Sequence, residues 1–375
     1  MMVFGTRPEA IKMAPLVKVL EKDSRFETKV TVTAQHREIL DQVLDLFNIV
    51  PDYDLNIMKK GQTLTGITTR VLEGLEAILN QEKPDIVLVH GDTTTTFASS
   101  LAAFYNQVSV GHVEAGLRTF DKWQPFPEEI NRRLTGTMAD LHFSPTTRAK
   151  GNLLLEGISP DSIFVTGNTV IDALLPMVEE DYVFAEPILN NLDFSKPILL
   201  GEAHRRENLG QPLEEVFQAL SEIVKANPEV ELVYSVHPNP LVKNTAERLL
   251  GGKDRIHLIS PPPYKEWVNL MARSYLLLTD SGGLQEEAPA VGVPVLVLRD
   301  VTERPEGLRT GTLKLVGTDK EKIIKTANNL LKNKTEYEAM AKAPNPYGDG
   351  KACERIRDAL LYYFHDEKRV EDWSF

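Results

Sequence analysis

Ile86-Val87-Leu88-Val89-His90-Gly91-Asp92-Thr93-Thr94-Thr95-Thr96 decides the fold: a β-rich apolar run stops at an ionisable residue and a glycine, and a helical stretch follows. The layout recurs where residues 108–111 run into His112-Val113-Glu114-Ala115-Gly116-Leu117-Arg118. Short apolar runs alternating with helical segments read as buried parallel strands. Open parallel sheets bind ligands in the crevice at the carboxyl ends of their strands. Asp92 and Glu114 both fall at such ends, and two carboxylates in one crevice suit acid–base chemistry better than simple binding.

Outward from this stretch the alternation continues. Residues 2–4 form a short first strand, and Gly5-Thr6-Arg7-Pro8-Glu9 turns into a helix beginning near Ala10. Residues 30–34 are β-rich, while 39–47, 66–81 and 95–105 carry helical spacing. Serial βα of this kind predicts a doubly wound sheet with right-handed crossovers. Helical spacing weakens after Asp172, and Asp193-Phe194-Ser195-Lys196-Pro197 opens a second alternation. Its strands are read at 198–200, 231–236, 256–259, 275–279 and 293–298, with helices at 213–226, 264–272, 284–290 and 320–331. Asn345-Pro346-Tyr347-Gly348-Asp349-Gly350 is a turn-rich break before a last helix. The expected fold is α/β, with two Rossmann-like doubly wound domains facing across a cleft. They are residues 1–170 and 171–352, and the helix of about 353–375 crosses back to the first.

Composition narrows the function. The 375 residues are 42% hydrophobic and 26% charged, the balance of a globular enzyme. A net charge of -12 argues against nucleic acid or an anionic membrane as partner, since both call for clustered Lys and Arg. The lone Cys353 excludes an internal disulfide and a cysteine-based metal site. No apolar run reaches the roughly 20 residues that cross a bilayer, and Met1-Met2-Val3-Phe4 lacks the basic start of a signal peptide. A cytoplasmic location is expected.

The remaining motifs favour a phosphorylated ligand. Asp280-Ser281-Gly282-Gly283 joins a strand to a helix, where glycine allows close backbone approach and unbonded N–H groups attract phosphate. A strand-to-helix turn needs glycine for its own sake too. Glu287, one turn inside, suits ribose hydroxyls or the helix dipole. Arg7 follows the first strand, and a guanidinium matches a pair of diphosphate oxygens. His204-Arg205-Arg206 could bind a diphosphate or stabilise it as a leaving group, or form a solvated charge run. Glu128, in Pro127-Glu128-Glu129-Ile130-Asn131-Arg132, is a third carboxylate at a helix start. Asp52-Tyr53-Asp54 has the form of a metal-binding tripeptide but sits in a Pro-led turn, so it is read as structural. No spacing argues for a metal. No G-x-G-x-x-G follows the first strand, which counts against NAD, and no cofactor is expected.

Taken together these segments resemble the non-hydrolysing UDP-N-acetylglucosamine 2-epimerases. The resemblance is carried by residues 4–15 (Phe-Gly-Thr-Arg-Pro-Glu-Ala-Ile-Lys-Met-Ala-Pro), 33–38 (Thr-Ala-Gln-His-Arg-Glu), 90–96, 112–119, 127–132 and 204–208. It continues through 280–289, 299–306 (Arg-Asp-Val-Thr-Glu-Arg-Pro-Glu) and 345–350, in order and nearly end to end. It implies a fold of the glycosyltransferase-B type and reversible inversion at C2, UDP-GlcNAc to UDP-ManNAc. The route implied is anti elimination of UDP to 2-acetamidoglucal followed by re-addition, serving surface polysaccharide synthesis. Asp92, Glu114 and Glu128 would be the acid–base groups and His204 would assist the diphosphate. Arg7, Lys12, Arg132, Ser281, Gly282, Gly283 and Glu287 would hold UDP, and Trp267 would cover the uracil or belong to the core. A homodimer is the family expectation.

Three departures stand out. Met1-Met2-Val3 is a shorter first strand than the family's and suggests a truncated start. Glu202-Ala203 replaces the expected Thr-Gly or Thr-Ala before His204, putting an acid near a diphosphate, which should weaken its binding unless Arg205 neutralises it. Some relatives take a second UDP-GlcNAc as activator; Gln35, Arg205 and His237 fit that site, whereas Glu38 and Gly61 depart from its pattern. The rival readings are a glycosyltransferase of the same fold, a hydrolysing epimerase and a non-enzymatic nucleotide-sugar sensor.

Overall fold

Parallel strands buried on both faces need apolar residues at every position, and the chain supplies them in runs of three to five. The protein is described by a computed structural model of residues 1–375 apart from His36, Lys60 and Asp366, with only the backbone of Glu38 and Ile39. It divides into two units, Met1–Ala173 with Tyr347–Phe375, and Leu174–Pro346.

The first unit holds β1 (Met2–Phe4), β2 (Val30–Val32), β3 (Tyr53–Asp54), β4 (Ile86–His90), β5 (Ser109–Val113), β6 (Leu141–Ser144) and β7 (Ile163–Val165). They form a parallel sheet in the order β3-β2-β1-β4-β5-β6-β7. In the second unit β8 (Ile198–Glu202), β9 (Glu231–Ser235), β10 (Ile256–Ile259), β11 (Leu276–Thr279), β12 (Val295–Val297) and β13 (Leu313–Leu315) form another, in the order β10-β9-β8-β11-β12-β13. Each unit is thus a Rossmann-like doubly wound sheet, and two such sheets in one chain are the glycosyltransferase-B class of fold.

Several readings need correction. Asp52-Tyr53-Asp54 is no simple turn: Tyr53 and Asp54 pair with Thr31 and Val32 as the edge strand β3, and Asp52 Oδ2 accepts the Val30 N–H at 2.8 Å. The first helix begins at Arg7 rather than Ala10, with Pro8 in its first turn, where a missing N–H costs nothing. Strands β6, β7 and β13 had no counterpart in the sequence reading. The last helix, Ala352–His365, stops well short of residue 375.

That helix is anchored to the first unit. Asp172 accepts the Cys353 N–H at 2.8 Å and the Ala352 N–H at 3.1 Å, capping the helix with a carboxylate. Ile356, Ala359, Leu360 and Leu361 are buried along it. Beyond it the tail lies along the sheet edge. The Trp373 N–H meets Val165 O at 2.8 Å, and the Val165 N–H meets Asp372 Oδ1 at 2.9 Å, so β7 is not left open to pair with another chain. Among the described residues, no helix is long and apolar enough to cross a membrane. Asp172→Ala should remove the cap and lower stability by about 1–2 kcal/mol. Urea unfolding with an unchanged midpoint would show that the helix is held by its apolar face alone.

Candidate functional site

Each strand order reverses once, between β1 and β4 and between β8 and β11. At a reversal the connecting helices leave toward opposite faces and open a crevice outside the strands' carboxyl ends. Most of the sequence-derived candidates lie in the loops at these two points.

In the first unit the loops after β1 and β4 are stitched by the buried Glu9. Its Oε2 accepts the Gly5 N–H at 2.9 Å and the Thr6 N–H at 2.7 Å, while Oε1 takes the hydroxyls of Thr93 and Thr96. Gly5 is required here, because a Cβ would sit 1.8 Å from Thr33 Oγ1. One loop further, Glu114 adopts a left-handed backbone (φ 64°), a conformation costing on the order of 1 kcal/mol that persists where its surroundings enforce it. Its Oε2 accepts from Lys12 Nζ and from Asn168 Nδ2, the latter at 2.8 Å, and lies 3.8 Å from His90 Nε2. Desolvation lowers His90 to about 4 despite the nearby Glu114, so the ring is neutral.

Asp92 is held differently. Arg132 Nη2 stands 2.9 Å from Asp92 Oδ2, and Asn131 Nδ2 donates to the Asp92 carbonyl at 3.0 Å. Desolvation raises its carboxyl to about 6 against the pull of Arg132, and Glu114 and Glu128 push the same way. With 29% of the side chain exposed, solvent tempers that rise. Glu128 opens the helix Glu128–Met138 and is half-buried. Asp92, Glu114, Glu128, Lys12 and Arg132 therefore share one crevice of alternating charge. Arg7 is half-buried at the start of its helix and makes no ion pair among the described residues. Gln35 accepts the Thr95 hydroxyl at 2.9 Å in this unit. The side chain of Glu38 lies outside the described residues; Gly61 is exposed in a left-handed turn.

The second unit uses a buried carboxylate in the same way. Asp280, at the end of β11, accepts the His204 N–H at 3.0 Å, the Arg205 N–H at 2.9 Å and Asn208 Nδ2 at 2.8 Å. This bolts the loop after β8 to the loop after β11. His204 Nδ1 stands 2.9 Å from Glu202 Oε1, so among the described residues it is His204 that lies against this acid. The His204 ring stacks on His237, centroids 4.6 Å apart and 14° from parallel. Above Gly282, a Cβ would lie 3.7 Å from both Arg205 Nη2 and Arg304 Cζ, so two guanidinium groups overhang this backbone. Ser281 and Gly283 flank it, and a Cβ on Gly283 would lie 3.5 Å from Glu287 Oε1. Trp267 is buried in the helix Tyr264–Ala272, with 8% exposed.

Sequence reasoning did not single out His90, Asn168 or Arg304. His90 closed a quoted strand, and Arg304 lay in a segment quoted only for the resemblance; Asn168 carried no local pattern. Among the described residues no group of three His, Cys, Asp or Glu side chains is placed to hold a metal ion.

Comparison with known proteins adds a second line. Residues 18–361 match the family model described as UDP-N-acetylglucosamine 2-epimerase. The Bacillus subtilis (strain 168) UDP-N-acetylglucosamine 2-epimerase is 58% identical over 372 residues, covering 99% of this chain and 97% of that protein. A solved S. aureus structure with UDP is similar at a TM-score of 0.89 and 50% identity, covering 100% of this chain and 99% of that one. The Neisseria meningitidis UDP-GlcNAc 2-epimerase bound to UDP-GlcNAc is similar at 0.88 and 49%, covering 96% and 98%.

Among the described residues Arg132 is the cation in contact with Asp92, and it opposes the desolvation more strongly than Lys12. Arg132→Met should therefore move the Asp92 titration above its wild-type value of about 6, because the ionised form loses its cation. Carboxyl-carbon NMR across pH 4–9 checks this; a titration left in place would detach Arg132 from Asp92.

Proposed function

The chain belongs to the UDP-N-acetylglucosamine 2-epimerase family, and from that premise we propose that it inverts C2 of UDP-GlcNAc reversibly to give UDP-ManNAc by elimination and re-addition. A base takes the C2 proton while the electron pair of that bond forms the C1=C2 double bond and UDP leaves with the anomeric oxygen. The product, 2-acetamidoglucal, is then protonated at C2 on the opposite face as a UDP oxygen returns to C1. No oxidation occurs, so no nicotinamide is needed.

One observation carries the reading: Asp92 and Glu114 share a crevice but have unlike surroundings. Glu114 is gripped by an ammonium and an amide, while Asp92 is pushed up to about 6, poised to exchange a proton near neutrality. Two carboxylates set apart in this way suit a reaction that removes a proton from one face and delivers one to the other. Glu128 is the third acid–base group. Arg7, Lys12, Arg132, Ser281, Gly282, Gly283 and Glu287 are assigned to UDP, with Trp267 near the uracil and His204 on the departing diphosphate. The same reading includes a cytoplasmic homodimer that supplies ManNAc units for surface polysaccharide. A second UDP-GlcNAc would act as activator through Gln35, Arg205 and His237.

Epimerisation in deuterated water should place deuterium at C2 of the product. Product keeping only the original hydrogen would overturn the mechanism, and UDP with free ManNAc as main products would favour hydrolysis. Asp92→Asn or Glu114→Gln should slow turnover by about 10²–10⁴-fold, the range for a positioned acid or base. Calorimetry supplies a separate check: Arg7→Ala should weaken UDP binding by about 1.5–3 kcal/mol, and equal affinity would remove Arg7 from the nucleotide.

A further inference from the structure

We propose that Glu202 is a positioning residue for His204: its carboxylate stands against the Nδ1 edge, orients the ring and favours its charged form, and so makes the opposite Nε2–H edge a donor to the β-phosphate of the nucleotide. The inference rests on the assignment of His204 to the diphosphate and adds a residue that assignment does not include.

The geometry begins with the strand. Glu202 is the last residue of β8 and His204 stands two positions on, so in extended chain their side chains point the same way. Glu202 Oε1 is 2.9 Å from His204 Nδ1 while Thr279 Oγ1 of the neighbouring β11 lies 3.5 Å from Oε2, so both carboxylate oxygens have a neighbour. The His204 backbone is fixed independently, its N–H bonded to Asp280. Main chain and ring are therefore each held by a carboxylate.

The charged and titratable groups facing His204 are Glu202 and Asp280, which favour its cation, Arg205, which opposes it, and the stacked His237. The Glu202 carboxylate 2.9 Å away is the largest influence and raises His204 above the ordinary histidine value, against partial burial. His237 is lowered by burial and then by the His204 charge. Its Nδ1 accepts the Asn239 N–H at 3.1 Å, which commits that nitrogen to the unprotonated form. Two parallel rings 4.6 Å apart would repel if both were charged. Glu202 places the single charge on His204, the ring beside the backbone bolted to Asp280. The acid that looked like a penalty for an anionic ligand thus favours the charged form of the ring that faces that ligand.

Glu202→Gln and Glu202→Asp test this. Imidazole nitrogen NMR of the full chain, with His204 assigned by His204→Gln, should show His204 titrating at lower pH in Glu202→Gln and close to wild type in Glu202→Asp. Calorimetry with UDP from pH 6 to 9 should show the Gln variant losing affinity at a lower pH than wild type. Where wild type still binds and the Gln variant has lost its charge, the deficit should be about tenfold, the worth of a charged hydrogen bond, and Asp should restore the profile. A His204 titration unmoved in the Gln variant would overturn the proposal, as would a UDP profile shifted uniformly at all pH. A thermal midpoint that falls without any change in the pH profile would make Glu202 purely structural and also overturn it. Because neither readout needs turnover, a protein that shows the shift but forms no epimer would refute the epimerase mechanism and leave this inference standing.

Discussion

A buried carboxylate at each reversal of strand order is the constraint on which both crevices depend. Glu9 ties the loop after β1 to the helix after β4, and Asp280 ties the loop after β11 to the loop after β8. Taking a carboxylate out of water costs several kcal/mol unless donors surround it. Here each meets backbone N–H groups together with a side-chain donor. Such an arrangement is all-or-none: losing one loop would leave a buried anion with half its partners. It fixes the loops without occupying the space in front of them. It also consumes the His204 and Arg205 N–H groups, so an anion at β8 must be met by side chains.

The two crevices differ in charge. In the first unit carboxylates alternate with cations, Glu114 with Lys12 and Asp92 with Arg132, which leaves little net field and room for proton exchange. In the second, Arg205 and Arg304 overhang the Gly282 backbone, with Arg304 Nε 2.6 Å from Glu286 Oε1, and Asp280 is turned inward to hold main chain.

The fold was legible because parallel strands advertise themselves: β4 opens on the apolar run Ile86-Val87-Leu88-Val89, and β4 and β5 are followed by Gly91 and Glu114. β3 was not legible, since two edge residues, Tyr53 and Asp54, bury too little to impose a pattern. Asp92 and Glu114 were legible from their place at strand ends. Asn168 was not, because its bond to Glu114 spans 54 residues and no local spacing reports it. The neighbour of Glu202 was half legible: Arg205 was the cation considered, while the two-residue repeat of a strand puts His204 on the same side.

The helix Ala352–His365 belongs to the first unit although the second lies between it and the rest of that unit in sequence. A ribosome therefore delivers the whole of residues 174–346 while the first sheet still lacks the apolar face that covers it. The usual order, in which the earlier-made domain finishes first, is inverted. The contiguous second unit can close as it emerges, whereas the first must wait, partly uncovered, until the helix Ala352–His365 has been made. Apolar surface beside the helix Arg7–Glu21 is thus exposed longest in the nascent chain, and that is where a chaperone would find this protein.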